Sequence, residues 1–169
     1  GEILKIVAIV TDEAGNSSTV GTESDDEITI DQTSPAVSSI SSTTANGYLI
    51  PTNTANVTVT FDEAVTLAGG NLEVELETGA TDQTVSIGTI NSSLTASGTY
   101  TVQTDDVSSD LNANSLDLSA GTLLDAAGNS ADLTIPGGSN LSDNKDLVVD
   151  GIAPTILSIT STTPDGDYA

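Results

Sequence analysis

The chain repeats one of its own segments at a distance of about one small domain. The stretch that runs from Thr29-Ile30-Asp31 through Pro35 to Ile40 returns as Val148-Val149-Asp150 through Pro154 to Ile159, a shift of 119 residues. Each copy continues to a turn signal, Asn46-Gly47 in the first and Asp165-Gly166 in the second. A second pair, Asp12-Glu13-Ala14-Gly15-Asn16 and Asp125-Ala126-Ala127-Gly128-Asn129, recurs at a shift of 113. Self-similarity at such a period is the mark of tandem domains, each large enough to enclose its own core. It predicts the end of one unit over 1–31, a complete unit over 32–150 and the first strand of a third over 151–169. Arrays of this kind span distance or multiply weak contacts, so a structural role is expected before a catalytic one.

Charge narrows the class of partner. Twenty-five acidic residues stand against two lysines, Lys5 and Lys145, giving a formal net charge of −23 with no histidine. A field of that sign repels nucleic acid and anionic membrane surfaces and attracts cations. An apolar fraction of 36%, much of it Val, Ile and Leu in alternating runs, argues for a packed core rather than disorder. No apolar run is long enough to span a bilayer. Without His or Cys there is no imidazole base, thiolate nucleophile or typical zinc set. A carboxylate pair of the glycosidase kind would remain, but the only aromatics are Tyr48, Phe61, Tyr100 and Tyr168, too few for a sugar platform. The chain is not expected to be an enzyme.

Period-two alternation dominates. Val57, Val59 and Phe61 alternate with Thr58 and Thr60, and Leu72, Val74 and Leu76 with Glu73, Glu75 and Glu77. These are strands with one buried face. Val85 and Ile87, Tyr100 and Val102, Leu116 and Leu118, then Leu147 to Val149 continue the pattern. Turn signals lie between them at Asn46-Gly47, Gly69-Gly70, Thr78-Gly79, Ala96-Ser97-Gly98 and Pro136-Gly137-Gly138. No segment carries a helical period. Short strands with turns at this spacing predict an all-β, antiparallel β-sandwich. The three glutamates are expected to form a solvated face that discourages edge-to-edge association. Tyr100 is expected in the core or at a corner. Ile6, Ala8 and Val10 at one end, with Ile156 and Ile159 at the other, should need covering by a neighbouring repeat or another copy of the chain.

The string Ile9-Val10-Thr11-Asp12-Glu13-Ala14-Gly15-Asn16, followed by Thr29-Ile30-Asp31 and Ser34-Pro35, resembles the end of a bacterial immunoglobulin-like repeat, a module of very large surface proteins and adhesins. Such repeats close on an Asp-x-Ala-Gly-Asn loop and join through an Asp-x-x-x-Pro linker. Both elements recur at Asp125 to Asn129 and at Asp150 to Pro154, and Gly98 to Val102 also fits the pattern. The insert from Thr104 to Asn114 departs from it. The resemblance implies an immunoglobulin-like β-sandwich in tandem repeat, outside the cell on a bacterial surface.

Calcium, a hard cation taking six to eight oxygens, suits a surface so rich in carboxylates. The resemblance implies that the linker meets the B–C and F–G loops at one pole, as in cadherins. With Val57 to Phe61 as strand B, Asp62 and Glu63 would open the B–C loop. With strand F inside 116–124, Asp125 would open the F–G loop. Asp31 in the incoming linker would meet all three, and Asp150 is its counterpart in the outgoing one. A second candidate is the Asp106-Val107-Ser108-Ser109-Asp110-Leu111-Asn112 loop with Asp105, whose alternate oxygens could wrap one ion. Leu111 and Leu118 stand where an EF-hand needs glycine and a bidentate glutamate, so an EF-hand is excluded. The bland alternative for both groups is a solvated acidic surface.

These readings converge on a non-catalytic, calcium-stiffened extender repeat of a secreted bacterial surface adhesin. Two rivals stand beside it. One is a subunit of an extracellular filament or surface layer completed by neighbouring chains, and the other a calcium-dependent carbohydrate-binding module.

Overall fold

The structure is a computed structural model that describes residues 2–4, 9–18 and 28–167. The described residues form an all-β fold built mostly of antiparallel strand pairs, with one parallel pair. In chain order the strands are β1 (Glu2–Leu4), β2 (Ile28–Ile30), β3 (Val37–Ser41), β4 (Gly47–Leu49), β5 (Thr54–Ala68), β6 (Leu72–Leu76), β7 (Gln83–Ile87), β8 (Ser93–Thr101), β9 (Val107–Ser108), β10 (Ala113–Leu118), β11 (Thr122–Leu124) and β12 (Leu147–Asp150), with one helical turn, α1 (Leu141–Asn144), before β12. No described helix is long and apolar enough to cross a membrane.

Alternation places the core. Ala55, Val57, Val59 and Phe61 of β5 are buried, as are Leu72, Val74 and Leu76 of β6 and Val85 and Ile87 of β7. They share one cluster with Tyr100, Leu116, Leu123, Leu141, Leu147 and Val149, so all three sheets of the unit drain into a single core. β5 is flanked by β3 and β8, and its last three residues pair with β11. β6 lies between β10 and β7, and β12 lies between β4, in parallel, and β9.

Four local expectations are corrected. Asp62 and Glu63 do not open a loop, because β5 runs on for 15 residues to Ala68. Its alternation resumes at Val65, fully buried, after a register shift against β8 between Thr60 and Val65. Ala96-Ser97-Gly98 is not a turn but the middle of β8. A Cβ at Gly98 would come within 2.4 Å of a Val85 methyl, so the glycine is there for close approach of β7 rather than for a bend. The glutamates of β6 lie on a central strand, not an edge. Glu73 accepts from Ser86 Oγ at 2.6 Å and Glu75 from Ser115 Oγ at 3.3 Å. Finally, α1 leaves no helical period in the sequence because it is a single turn, held by a capping box in which Asn140 and Asp143 bond each other's backbone ends.

The two chain ends contrast with the unit. Val37 and Ile40 are buried in β3, with a register shift between Val37 and Ser39 that lets two residues three apart face inward. Their counterparts Ile156 and Ile159 are 82% and 88% exposed, and 151–167 carries no strand. Val10 is exposed as well; Ile6 and Ala8 lie outside the described residues. Within the unit, Phe61→Ala removes the one buried phenylalanine ring and should cost about 3–5 kcal/mol, read as a lower urea midpoint at unchanged slope.

Candidate metal centre

The site is assembled from a loop that the sequence writes twice. After β11, Asp125 turns its carboxylate back over its own loop. Oδ1 accepts the N–H groups of Ala127 at 2.9 Å, Gly128 at 2.7 Å and Asn129 at 2.8 Å, while Oδ2 accepts the Asn129 side-chain amide at 2.9 Å. The backbone closes with Asp125 N–H on the Asn129 carbonyl at 3.1 Å. Gly128 sits at φ 95, the left-handed region that favours glycine. The earlier copy is built alike: Asp12 accepts Asn16 N–H at 2.8 Å and its amide at 2.9 Å, Asp12 N–H bonds the Asn16 carbonyl at 2.9 Å, and Gly15 has φ 88. Asp, Gly and Asn in this spacing thus specify one loop conformation in two places.

Asn129 also ties the loop to the incoming linker, its side-chain amide donating to the Asp31 carbonyl at 3.2 Å. Asp31 in turn caps the linker, its Oδ1 accepting Thr33 N–H at 3.0 Å. The outgoing linker repeats the turn, with Ile152 N–H on Asp150 Oδ1 at 3.2 Å. The irregular stretch of β5 supplies the last member. One carboxylate oxygen each of Asp31, Glu63 and Asp125 lies within 4.8 Å of the others. Oxygens bound to one calcium at 2.3–2.6 Å can be no more than about 5 Å apart, so this spacing would admit a shared cation. Among the described residues it is the only group of three or more acidic side chains drawn together in this way.

The electrostatics match the geometry. Glu63 is held above the usual carboxylate range, first by desolvation and then by the charges of Asp31, Asp62 and Asp125. Asp125 goes the other way. Its desolvation is outweighed by the hydrogen bonds from Asn129, Gly128 and Ala127, which keep it ionised. The site therefore holds one carboxylate committed to its negative charge beside another that resists it.

The other sequence-derived candidates lie apart from this triad. Asp62 is its neighbour in β5 but turns to the linker, accepting Ala36 N–H at 2.6 Å. Asp105 and Asp110 are exposed, Asp105 in a left-handed turn with φ 72. Asp106 is 3% exposed and spends its oxygens inside the protein, Oδ2 on the Tyr100 hydroxyl at 2.7 Å and Gln103 N–H at 2.8 Å, and Oδ1 on the Gln83 amide at 3.1 Å. Tyr100 is accordingly a core residue whose ionisation is pushed up by burial and by this bond. The structure does not bring Asp105, Asp106 and Asp110 into one ligand set. Sequence reasoning missed Asn129 as the strap between linker and loop, although its fixed place in the repeated motif was the available signal.

The chain matches no family model, no curated protein and no solved structure, so the reading of the site rests on its own geometry.

A pH prediction follows from Glu63. A carboxyl whose folded pKa is raised stabilises the fold when protonated, and that stability is lost as pH rises from the unfolded value of about 4.3 through the folded one. With metal chelated, Glu63→Gln should therefore raise the melting temperature at pH 7, and the gain should disappear below about pH 4. Asp125 has the opposite sign: its lowered pKa gives stability that is present near neutrality and lost as pH falls through the folded value. Melting curves from pH 3 to 8 in chelator, for wild type and Glu63→Gln, check both signs.

Proposed function

We propose that the chain is a non-catalytic extender repeat of a secreted bacterial surface adhesin, an immunoglobulin-like β-sandwich in tandem array whose junctions are stiffened by calcium. The observation that carries the reading is the convergence of Asp31, a linker residue, with Glu63 and Asp125, which belong to the body of the unit. A cation shared by linker and body makes bending of the linker cost coordination. Without it, the same carboxylates repel one another and favour an open hinge. The matched geometry of the two Asp-x-Ala-Gly-Asn loops and of the two linker turns supports the tandem reading. Asp150 would serve the next junction as Asp31 serves this one.

The array would then act as a rod that carries a ligand-binding region away from the cell, with neighbouring repeats as its partners. Nothing in the geometry favours the filament or carbohydrate-binding alternatives over this one. The test has two parts. Calcium bound only by the folded state should stabilise the unit by about 2.7 kcal/mol per site at a hundredfold excess over its dissociation constant, so melting should rise when calcium replaces EDTA at fixed ionic strength. Small-angle scattering on a segment with two complete repeats should report a longer, narrower particle with calcium, and Asp31→Ala should remove most of both effects. Identical melting and identical dimensions with and without calcium would overturn the reading.

A further inference from the structure

The outgoing linker is clamped without any metal. Gly151 is buried, its N–H donating to the Asp106 carbonyl at 2.7 Å and its carbonyl accepting Asp105 N–H at 3.2 Å. A Cβ there would come within 2.6 Å of the carbonyl oxygens of Gln103 and Asp106. The turn that grips it is held from inside by the Asp106 carboxylate, through Tyr100, Gln103 and Gln83. The direction in which the chain leaves the unit is therefore fixed by packed backbone.

Beside the clamp lies an apolar surface. In the small sheet of β4, β12 and β9, Leu49, Leu147 and Val149 face the core. The residues that alternate with them face outward: Tyr48 and Val148, paired across the strands, and the exposed Asp150, paired with Val107. Tyr48 is 77% exposed, and Ile50 beyond it 56%; Val107 of β9 is 36% exposed, and Ile152 of the linker 59%. The large hydrophobic side chains exposed between residues 31 and 152 are Tyr48, Ile50, Leu94, Val107 and Ile152, and Tyr48 and Ile50 follow one outward row along and just beyond β4. Exposed apolar side chains gathered in one place mark interaction surfaces, and tyrosine is a favoured anchor in them.

We infer that this face is the seat of the following unit of the array, an inter-domain contact that acts in addition to the cation. The inference rests on the tandem reading above. The occupant is chosen by where the chain goes. β12 itself runs into the linker, and the four residue steps from Asp150 to Pro154 reach at most about 14 Å. Whatever begins at Pro154 is held within that reach of the end of β12. The segment that follows carries Ile156, Leu157 and Ile159 almost fully exposed and has no charged residue from Gly151 to Pro164, so it can approach the unit without like-charge repulsion.

Hydroxyl-radical footprinting and amide exchange test the contact on the 169-residue chain and on the parent chain extended through the following unit, each with calcium and with chelator. Tyr48 should be oxidised several-fold more slowly in the longer chain, in chelator as well as in calcium, while buried Tyr100 stays protected in both. Tyr48→Ser should leave melting of the 169-residue chain unchanged and broaden the inter-unit distance distribution of the longer one. Equal Tyr48 reactivity in the two chains, with the amides of Ile156 and Ile159 protected in the longer one, overturns the contact and leaves the tandem reading standing. If those amides stay unprotected in the longer chain, the tandem reading falls and the contact with it. Protection of Tyr48 in the 169-residue chain that grows with concentration names a second copy as occupant and overturns the assignment.

Discussion

One strand sets the geometry on which the rest depends. β5 is bonded to β3 and β8 along its first half and to β11 along its last three residues, so it cannot shift register without dragging three neighbours. A slip by one residue would turn Val57, Val59 and Phe61 from the core to solvent. The irregularity between Thr60 and Val65 is therefore held in place from both sides. It is in this stretch that Asp62 and Glu63 stand, one bonded to the linker at Ala36 and the other facing Asp31 and Asp125. The position of two surface acids is thus dictated by burial of the apolar half of the same strand.

The acidic surface is not uniform in how its charges are held. Asp12 and Asp125 are held as anions by N–H groups of their own loops, and Asp132 by the Thr134 hydroxyl and then its N–H, which is chemistry local to each loop. Glu63 has no such help and sits among three other carboxylates. Asp106 is fixed differently again, with three donors and almost no exposure. Burying a carboxylate without a cation is costly unless its oxygens are bonded, and here each oxygen is. Similar residues in one chain thus do three jobs: closing a loop, converging on a shared site and pinning a turn.

Much of the fold was legible because alternation is a local signal. The buried faces of β5, β6, β7 and β12 could be read directly from Val57, Leu72, Val85 and Leu147 and their partners. The candidate triad was legible through the repeated loop and linker, which named Asp31 and Asp125. Three things were not. The run of β5 through Asp62 and Glu63 depends on cross-strand partners far away in sequence. Gly98 reads as a turn when its reason is a Val85 methyl on another strand. Asp106 reads as an ion ligand by spacing, and only the fold reveals that Tyr100 and Gln83 already claim its oxygens.

The close fit around Gly151 would constrain how the proposed array changes over generations. The corresponding position in the first copy of the linker motif is Gln32. The two linkers match in their aspartate, proline and turn, yet they are not interchangeable parts. An exchange that carried glutamine into position 151 would drive its Cβ onto the Gln103 and Asp106 carbonyls. In the array proposed above, unequal crossing-over between repeats would be tolerated only where the breakpoint keeps each linker with the turn it was fitted to.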